Sequence, residues 1–241
     1  QTGGVLWEQD LTDRFAGAGT GFGYSASLLV LDGRIILPMG GKQAGLIALN
    51  AEDGRTVWTS GDDPASYCPT FPITLEGRTV LVSYLQNHLT INDPLTGRLL
   101  ARHEISHGYD EHAALPLWDE PRLIFAAPFK AGATCISLAW RDRQTDQPSI
   151  ELTHQWSSRE MSNDVCSSVL VNGFLYGFDL RDPQSKAHRP SRGRLRCLDV
   201  TTGETRWTSE TVGQASVVAA DSKLILFVDT GEVVLAQASP D

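Results

Sequence analysis

Apolar and polar positions along this chain fall into short strand-sized runs that recur at a fixed interval. One unit consists of small residues, an apolar run, a tight turn and a second apolar run. It spans Tyr24–Leu37 with its turn at Asp32-Gly33, and returns over Pro69–Val82 with its turn at Glu76-Gly77. Further copies cover Ala113–Phe125, turning at Asp119-Glu120-Pro121, Ser167–Tyr176, turning at Asn172-Gly173, and Ser216–Phe227, turning at Asp221-Ser222. The turn positions 33, 77, 120, 173 and 222 lie 44, 43, 53 and 49 residues apart. Short apolar runs bounded by Asx-Gly and similar turns predict antiparallel β-hairpins, because glycine supplies the positive φ that such turns require.

A second unit follows each copy: a strand, a turn with glycine, then often a tryptophan. It reads Leu46–Trp58 around Asp53-Gly54 and Leu195–Trp207 around Thr202-Gly203. Leu89–Gly97 matches too, but Ala101 stands where tryptophan is expected, and Trp156 occurs without the glycine. Trp7 follows Gly3 at the same offset, so residues 5–11 read as the last strand of a unit. Helical periodicity is nearly absent, Arg159–Asn163 being the one weak candidate. Four strands per repeat, five times over, predict an all-β β-propeller, since a lone four-stranded sheet buries its faces only by stacking on copies of itself. A β-sandwich would not require a repeat of this length. The expected blades are 24–60, 67–105, 112–157, 166–209 and 215–238, in a single domain over 1–241. The strand at 5–11 either completes the last blade as a composite, or a larger ring lacks a C-terminal segment.

Of the 241 residues, 41% are hydrophobic and 20% charged, which suits a globular protein and excludes disorder as the main state. No apolar run is long enough to predict a membrane-spanning helix. Gln1 opens the chain with no basic start and apolar stretch after it, so a cytoplasmic chain or one with its leader removed is expected. The formal charge of −9 argues against nucleic acid as a partner. Cys68, Cys135, Cys166 and Cys197 show neither a CxxC pair nor zinc-finger spacing, so four free thiols are expected and no metal site.

The unit Ala48-Leu49-Asn50-x-x-Asp53-Gly54-x-x-x-Trp58, repeated at Cys197-Leu198-Asp199-x-x-Thr202-Gly203-x-x-x-Trp207, resembles the repeat of PQQ-like (pyrroloquinoline-quinone-like) propellers. That family includes quinoprotein alcohol dehydrogenases and the bacterial outer-membrane assembly lipoprotein. The stretch 184–193 is similar to uncharacterised PQQ-like proteins of planctomycete-type bacteria. The resemblance implies that Trp58, Trp156, Trp207, Gly54, Gly97 and Gly203 dock blade on blade, and that the chain resides outside the cytoplasm, in the periplasm or cell envelope. In the dehydrogenases it would also imply adjacent disulfide-bonded cysteines and calcium held by Glu, Asn and Asp. Here no two cysteines are adjacent, and Asn163-Asp164 supply two oxygen ligands where calcium takes six to eight. No catalytic residue and no cofactor are therefore expected.

Propeller topology sends the turns between strands one and two, and three and four, to one face, and the remaining loops to the other. The first set is short; the second includes the long segments 10–23, 60–67, 106–111, 157–164 and 181–193. Loop length therefore collects on the face where binding is expected. One cluster there is His107, Tyr109, Asp110, Glu111 and His112. A second is the basic run containing Lys186, His188, Arg189 and Arg192, and Asn163 and Asp164 lie on the adjoining loop. Arginine forks suit carboxylates, phosphates or acidic protein surfaces. The expected function is a non-catalytic scaffold that binds a protein or a small polar or anionic ligand. The alternative is a quinoprotein-type or metal-dependent enzyme with its site at the channel mouth.

Overall fold

The computed structural model describes residues 3–17, 20–105, 111–163, 165–180 and 193–241. Nineteen strands and one short helix form among them, arranged as five antiparallel sheets in which each strand neighbours the next in sequence. The first sheet holds β1 (Leu29–Leu31), β2 (Arg34–Gly41), β3 (Ala44–Asn50) and β4 (Thr56–Ser60). The second holds β5 (Phe71–Leu75), β6 (Arg78–Tyr84), β7 (His88–Asn92) and β8 (Leu99–Glu104). The third holds β9 (Leu117–Asp119), β10 (Arg122–Ala127), β11 (Gly132–Arg141) and β12 (Ser149–Ser158). The fourth holds β13 (Val169–Val171), β14 (Phe174–Leu180), β15 (Gly193–Asp199) and β16 (Thr205–Ser209). The fifth has three strands, β17 (Ala215–Ala220), β18 (Lys223–Val228) and β19 (Val233–Gln237). This is a β-propeller-like fold with partial blades.

Turn chemistry explains the hairpins. Asp32 and Gly33 have φ of 48° and 71°, Glu76 and Gly77 49° and 76°, and Asn172 and Gly173 51° and 83°. Positive φ at both central residues is the two-residue turn whose twist matches that of paired strands. Asp221-Ser222 adopts the same form without glycine, and the third sheet turns at Glu120-Pro121 through a cis peptide.

The chain divides into two compact units, Gln1–His112 with Ala139–Leu152, and Ala113–Leu138 with Thr153–Asp241. In the first, Ile36, Leu46, Ala48, Trp58, Leu81 and Leu85 form one buried cluster. The Trp58 indole N–H donates to the Pro94 carbonyl at 3.1 Å, with its ring against Gly97. A Cβ at Gly97 would lie 2.5 Å from that ring, and its φ of +72° also disfavours any side chain. In the second unit Trp156 donates to the Val200 carbonyl at 2.8 Å, over Gly203, and Trp207 to the Ser239 carbonyl at 2.8 Å. Ala101 pairs with Ile91 at the position where Trp58 pairs with Ala48. From that sheet Arg98 reaches the Asp146 and Pro148 carbonyls instead, at 3.3 and 3.0 Å.

The start of the chain departs from expectation. Residues 5–10 form no strand, and α1 (Leu11–Phe15) follows them, capped by Asp10, whose carboxylate accepts from the Thr12 and Asp13 N–H groups. Asp-x-x-Asp before an apolar residue is helix-start chemistry, and with no ladder partner for these residues the cap decides the local structure. Trp7 still donates to the Ala51 carbonyl at 3.1 Å beside Gly54. With Leu11 and Phe15 it packs on Met39, Ala44, Ile47 and Leu49. Arg159–Asn163 likewise forms no helix. The four thiols are free, and burial pushes Cys68 up to about 12 and Cys135 to about 11.

Candidate functional site

Only part of the expected site falls among the described residues. His107, Tyr109, Asp110, Asp164, Lys186, His188, Arg189 and Arg192 lie outside them. His112 is a buried side chain stacked on Tyr84, ring centroids 4.3 Å apart and planes 8° from parallel. Its Nδ1–H donates to the Leu85 carbonyl at 3.0 Å. A carbonyl only accepts, so that nitrogen carries a proton. Glu111, just before it, is half-buried.

Asn163 is equally committed, within the second unit. Its amide donates to the Phe178 carbonyl at 3.2 Å, and its Oδ1 accepts from the Ser168 hydroxyl at 3.0 Å. Next to it, Ser162 N–H donates to Asp179 at 3.0 Å and Ser162 Oγ accepts from Gly132 N–H at 2.8 Å. Asp179 in turn pairs with Arg196 at 3.2 Å, and Arg196 also bonds Glu160. Burial holds the Asp179 carboxyl above its ordinary value, against the Ser162 N–H and the Arg196 charge, which favour ionisation. Arg194 pairs with Glu210 at 3.0 Å. Thus the described residues on either side of segment 181–192 form an internally paired network.

A different constellation opens in the first unit, at the end of the sheets where β4 leads into the 61–70 connection. A cavity of about 280 Å³ is lined by Ser60, Asp62, Asp63, His88, Thr90 and Asn92, with Leu46, Leu85, Leu99 and Arg102 around them. Strand β7 reads His88-Leu89-Thr90-Ile91-Asn92, and period-2 geometry puts the three polar residues on one face and the two leucine-type residues, both fully buried, on the other. Asp63 Oδ1 lies 2.5 Å from His88 Nδ1, and Asp62 Oδ1 accepts from Gln43 N–H at 2.5 Å.

Asn92 donates through Nδ2 to Ser60 Oγ at 3.1 Å and to the Gly97 carbonyl at 3.0 Å. Because the carbonyl accepts only, the amide cannot be turned over, and Oδ1 is fixed on the other side. That Oδ1 and Thr90 Oγ1 are both buried with no hydrogen-bond partner. Sequence reading included the 60–67 segment among the long loops, but not β7. Its signal is the polar residue at every second position, where β3 has Gly45, Ile47 and Leu49. Among the described residues no three His, Cys, Asp or Glu side chains gather as a metal site would need.

Comparison with known families places the chain. The family model described as outer membrane protein assembly factor BamB matches residues 1–209. Solved structures with a similar fold include BamB from Moraxella catarrhalis, 15% identical, with 89% of this chain and 71% of that one covered at a TM-score of 0.48. The computationally designed Ika8 protein is 12% identical, with 87% and 57% covered at a TM-score of 0.54. Quinohemoprotein alcohol dehydrogenase from Comamonas testosteroni is 12% identical, with 91% and 48% covered at 0.48. The chain thus spans between about half and three-fifths of the last two. No curated protein matches the sequence. No helix among the described residues is long and apolar enough to cross a membrane.

Proposed function

The chain belongs to the family of outer membrane protein assembly factor BamB, and from that premise we propose that it is a non-catalytic scaffold that captures a protein partner through its long loops, in the bacterial periplasm or cell envelope. The observation that carries this reading is where length is spent. In the first, second and fourth sheets the strand one–two turns take two residues, whereas the strand four–one connections 61–70 and 159–168 take ten each. The strand two–three turns 42–43 and 85–87 are short as well, and the strand three–four turns 51–55, 93–98, 142–148 and 200–204 take five to seven residues, so extra length is concentrated in the connections between sheets, which suit display of a surface. The polar candidates His112 and Asn163 hold core and loop backbone in place, a role that supports loop presentation and supplies no reactive group.

The partner is expected to be acidic where it meets the 181–193 segment, since six Lys and Arg residues fall between positions 181 and 196. The double change Arg189→Glu with Arg192→Glu tests this: cross-linking and pull-down from envelope extracts should lose the protein band that the unaltered chain captures. Retention of that band would remove the basic segment from the interface. A titration with pyrroloquinoline quinone plus calcium addresses the enzyme alternative. It should give no saturable heat, and micromolar binding would overturn the scaffold reading.

A further inference from the structure

We propose that a groove on the outer face of the fifth sheet is a docking site for an arginine side chain of a protein partner. The Asp229 carboxylate pairs with the guanidinium, and the Phe227 ring stacks on it. The groove lies within the second unit. The inference rests on the scaffold reading in one respect, that the arginine belongs to a protein.

Strand period builds the site. In β17 and β18, Ala215, Val217, Leu226 and Val228 are buried in a cluster with Tyr176, Phe178, Leu195 and Cys197. Ser216 and Phe227 alternate with them, pair across the two strands and are exposed on the opposite face. One step beyond the last ladder pair, the Asp229 N–H donates to the Gln214 carbonyl at 3.0 Å, and the same period carries Gln214 and Asp229 onto that face. Cys166 stands beside them, its Sγ 4.0 Å from Ser216 Oγ. These residues line an open groove of about 540 Å³, within the ~300–1,000 Å³ of ligand clefts.

Charge selects the guest. Among the described residues that line the groove, Asp229 alone is charged, and it is exposed. Glu232, in the same turn, adds a second carboxylate, which accepts from the Thr230 hydroxyl at 3.0 Å. The one cation of the fifth sheet, Lys223, is six residues back along β18, ~20 Å away at strand rise. The groove therefore favours a cation and repels an anion. A metal ion lacks its ligands, since no three His, Cys, Asp or Glu side chains gather among the described residues. Phe227, 59% exposed, presents a ring to the groove. A guanidinium stacks on such a ring while its fork pairs with a carboxylate, and its remaining N–H groups suit the Gln214 amide oxygen and the Ser216 hydroxyl. Val233, exposed and paired with Phe227, offers apolar surface to the methylene stem.

The test uses the intact chain and the tripeptide acetyl-Gly-Arg-Gly-amide, titrated at millimolar concentrations and followed by the amide NMR shifts of residues 227–231. Saturable shifts are expected there. The same peptide with citrulline keeps the shape and loses the charge, so it should bind about fivefold more weakly, as should the arginine peptide to Asp229→Asn. Phe227→Leu removes the ring and should weaken binding about twofold to fivefold. Both residues are exposed, so the melting temperature should hold in each variant and separate lost binding from lost folding. Absence of saturable shifts, citrulline bound as tightly as arginine, or binding unchanged in either variant overturns the proposal. A lysine tripeptide bound as tightly as the arginine one overturns the stacked guanidinium. None of these readouts involves the basic segment 181–193, so the groove and the capture of a partner through that segment fail separately.

Discussion

Two sheets place polar residues at the same step of the repeat and settle them in opposite ways. In β7 and β15 the residue two places before the shifted ladder pair is Thr90 and Arg196 respectively. Arg196, with 8% of its side chain exposed, pairs through its two Nη atoms with Asp179 and Glu160 and leaves its buried Nε without a partner. Thr90 keeps its hydroxyl buried and without a hydrogen-bond partner. In β3 the same step is Ile47, sealed under Trp7, Leu11 and Phe15. A propeller-like sheet therefore accepts an apolar contact, an ion-pair network or a buried hydroxyl at one register. The first two add to stability or fix conformation, and the third costs the desolvation of a polar atom.

The largest expected effect comes from opening the ion-pair network. Arg196→Leu leaves Asp179 buried without its cation and should cost about 3–5 kcal/mol in urea unfolding at neutral pH. The Asp179 carboxyl already sits above its ordinary value because of burial. The loss should therefore be greatest above that raised value and shrink as pH falls through it and the carboxyl becomes neutral. A loss that does not vary with pH would mean that Arg196 acts through its packed stem alone.

Next come the glycines under the tryptophans, one in each unit. Gly97→Ala and Gly203→Ala each force a Cβ to 2.5 Å from an indole at φ of +72° and +73°. Each should cost about 2–4 kcal/mol by overpacking and backbone strain. Near-equal losses would show that the two units dock their sheets alike, and a tolerant Gly97 would break that equivalence.

The smallest effect is an acid limb specific to the first unit. Burial raises the Asp93 carboxyl, but the Thr96 and Leu95 N–H groups, the Thr96 hydroxyl and Arg78 outweigh it and hold it below its ordinary value. Its contribution is present above the unfolded carboxylate range and is lost as pH falls through the lowered value. Asp93→Asn should flatten the decline in stability below pH ~4, read by hydrogen exchange across β7 and β8; an unchanged slope would assign the acid limb to other carboxylates.

Much of the fold was legible because its signals are local. Asp32-Gly33, Glu76-Gly77 and Asn172-Gly173 announce left-handed turn residues, and the alternating runs beside them announce strands. The strand expected at 5–11 failed for a reason also local, the Asp10 cap, while Trp7 kept its hydrogen bond to Ala51 without a ladder around it. The site was far less legible. His112 and Asn163 look like ligand-binding residues in one dimension, and only their acceptors, the Leu85 and Phe178 carbonyls, show them occupied. The cavity in the first unit draws on Ser60, Asp63, His88, Asn92 and Arg102 from three separate stretches, so no motif marks it.

What the amino-acid order determined by itself was the kind of strand, most of the turns between strands and the spacing of the glycine and tryptophan pairs. Those follow from φ preferences and side-chain period, which each residue carries with its neighbours. Which polar groups would be matched and which left open was decided only in the tertiary structure. Pairing a buried donor with an acceptor depends on distance across strands far apart in sequence, and Thr90 and Arg196 differ in what folding brought to them.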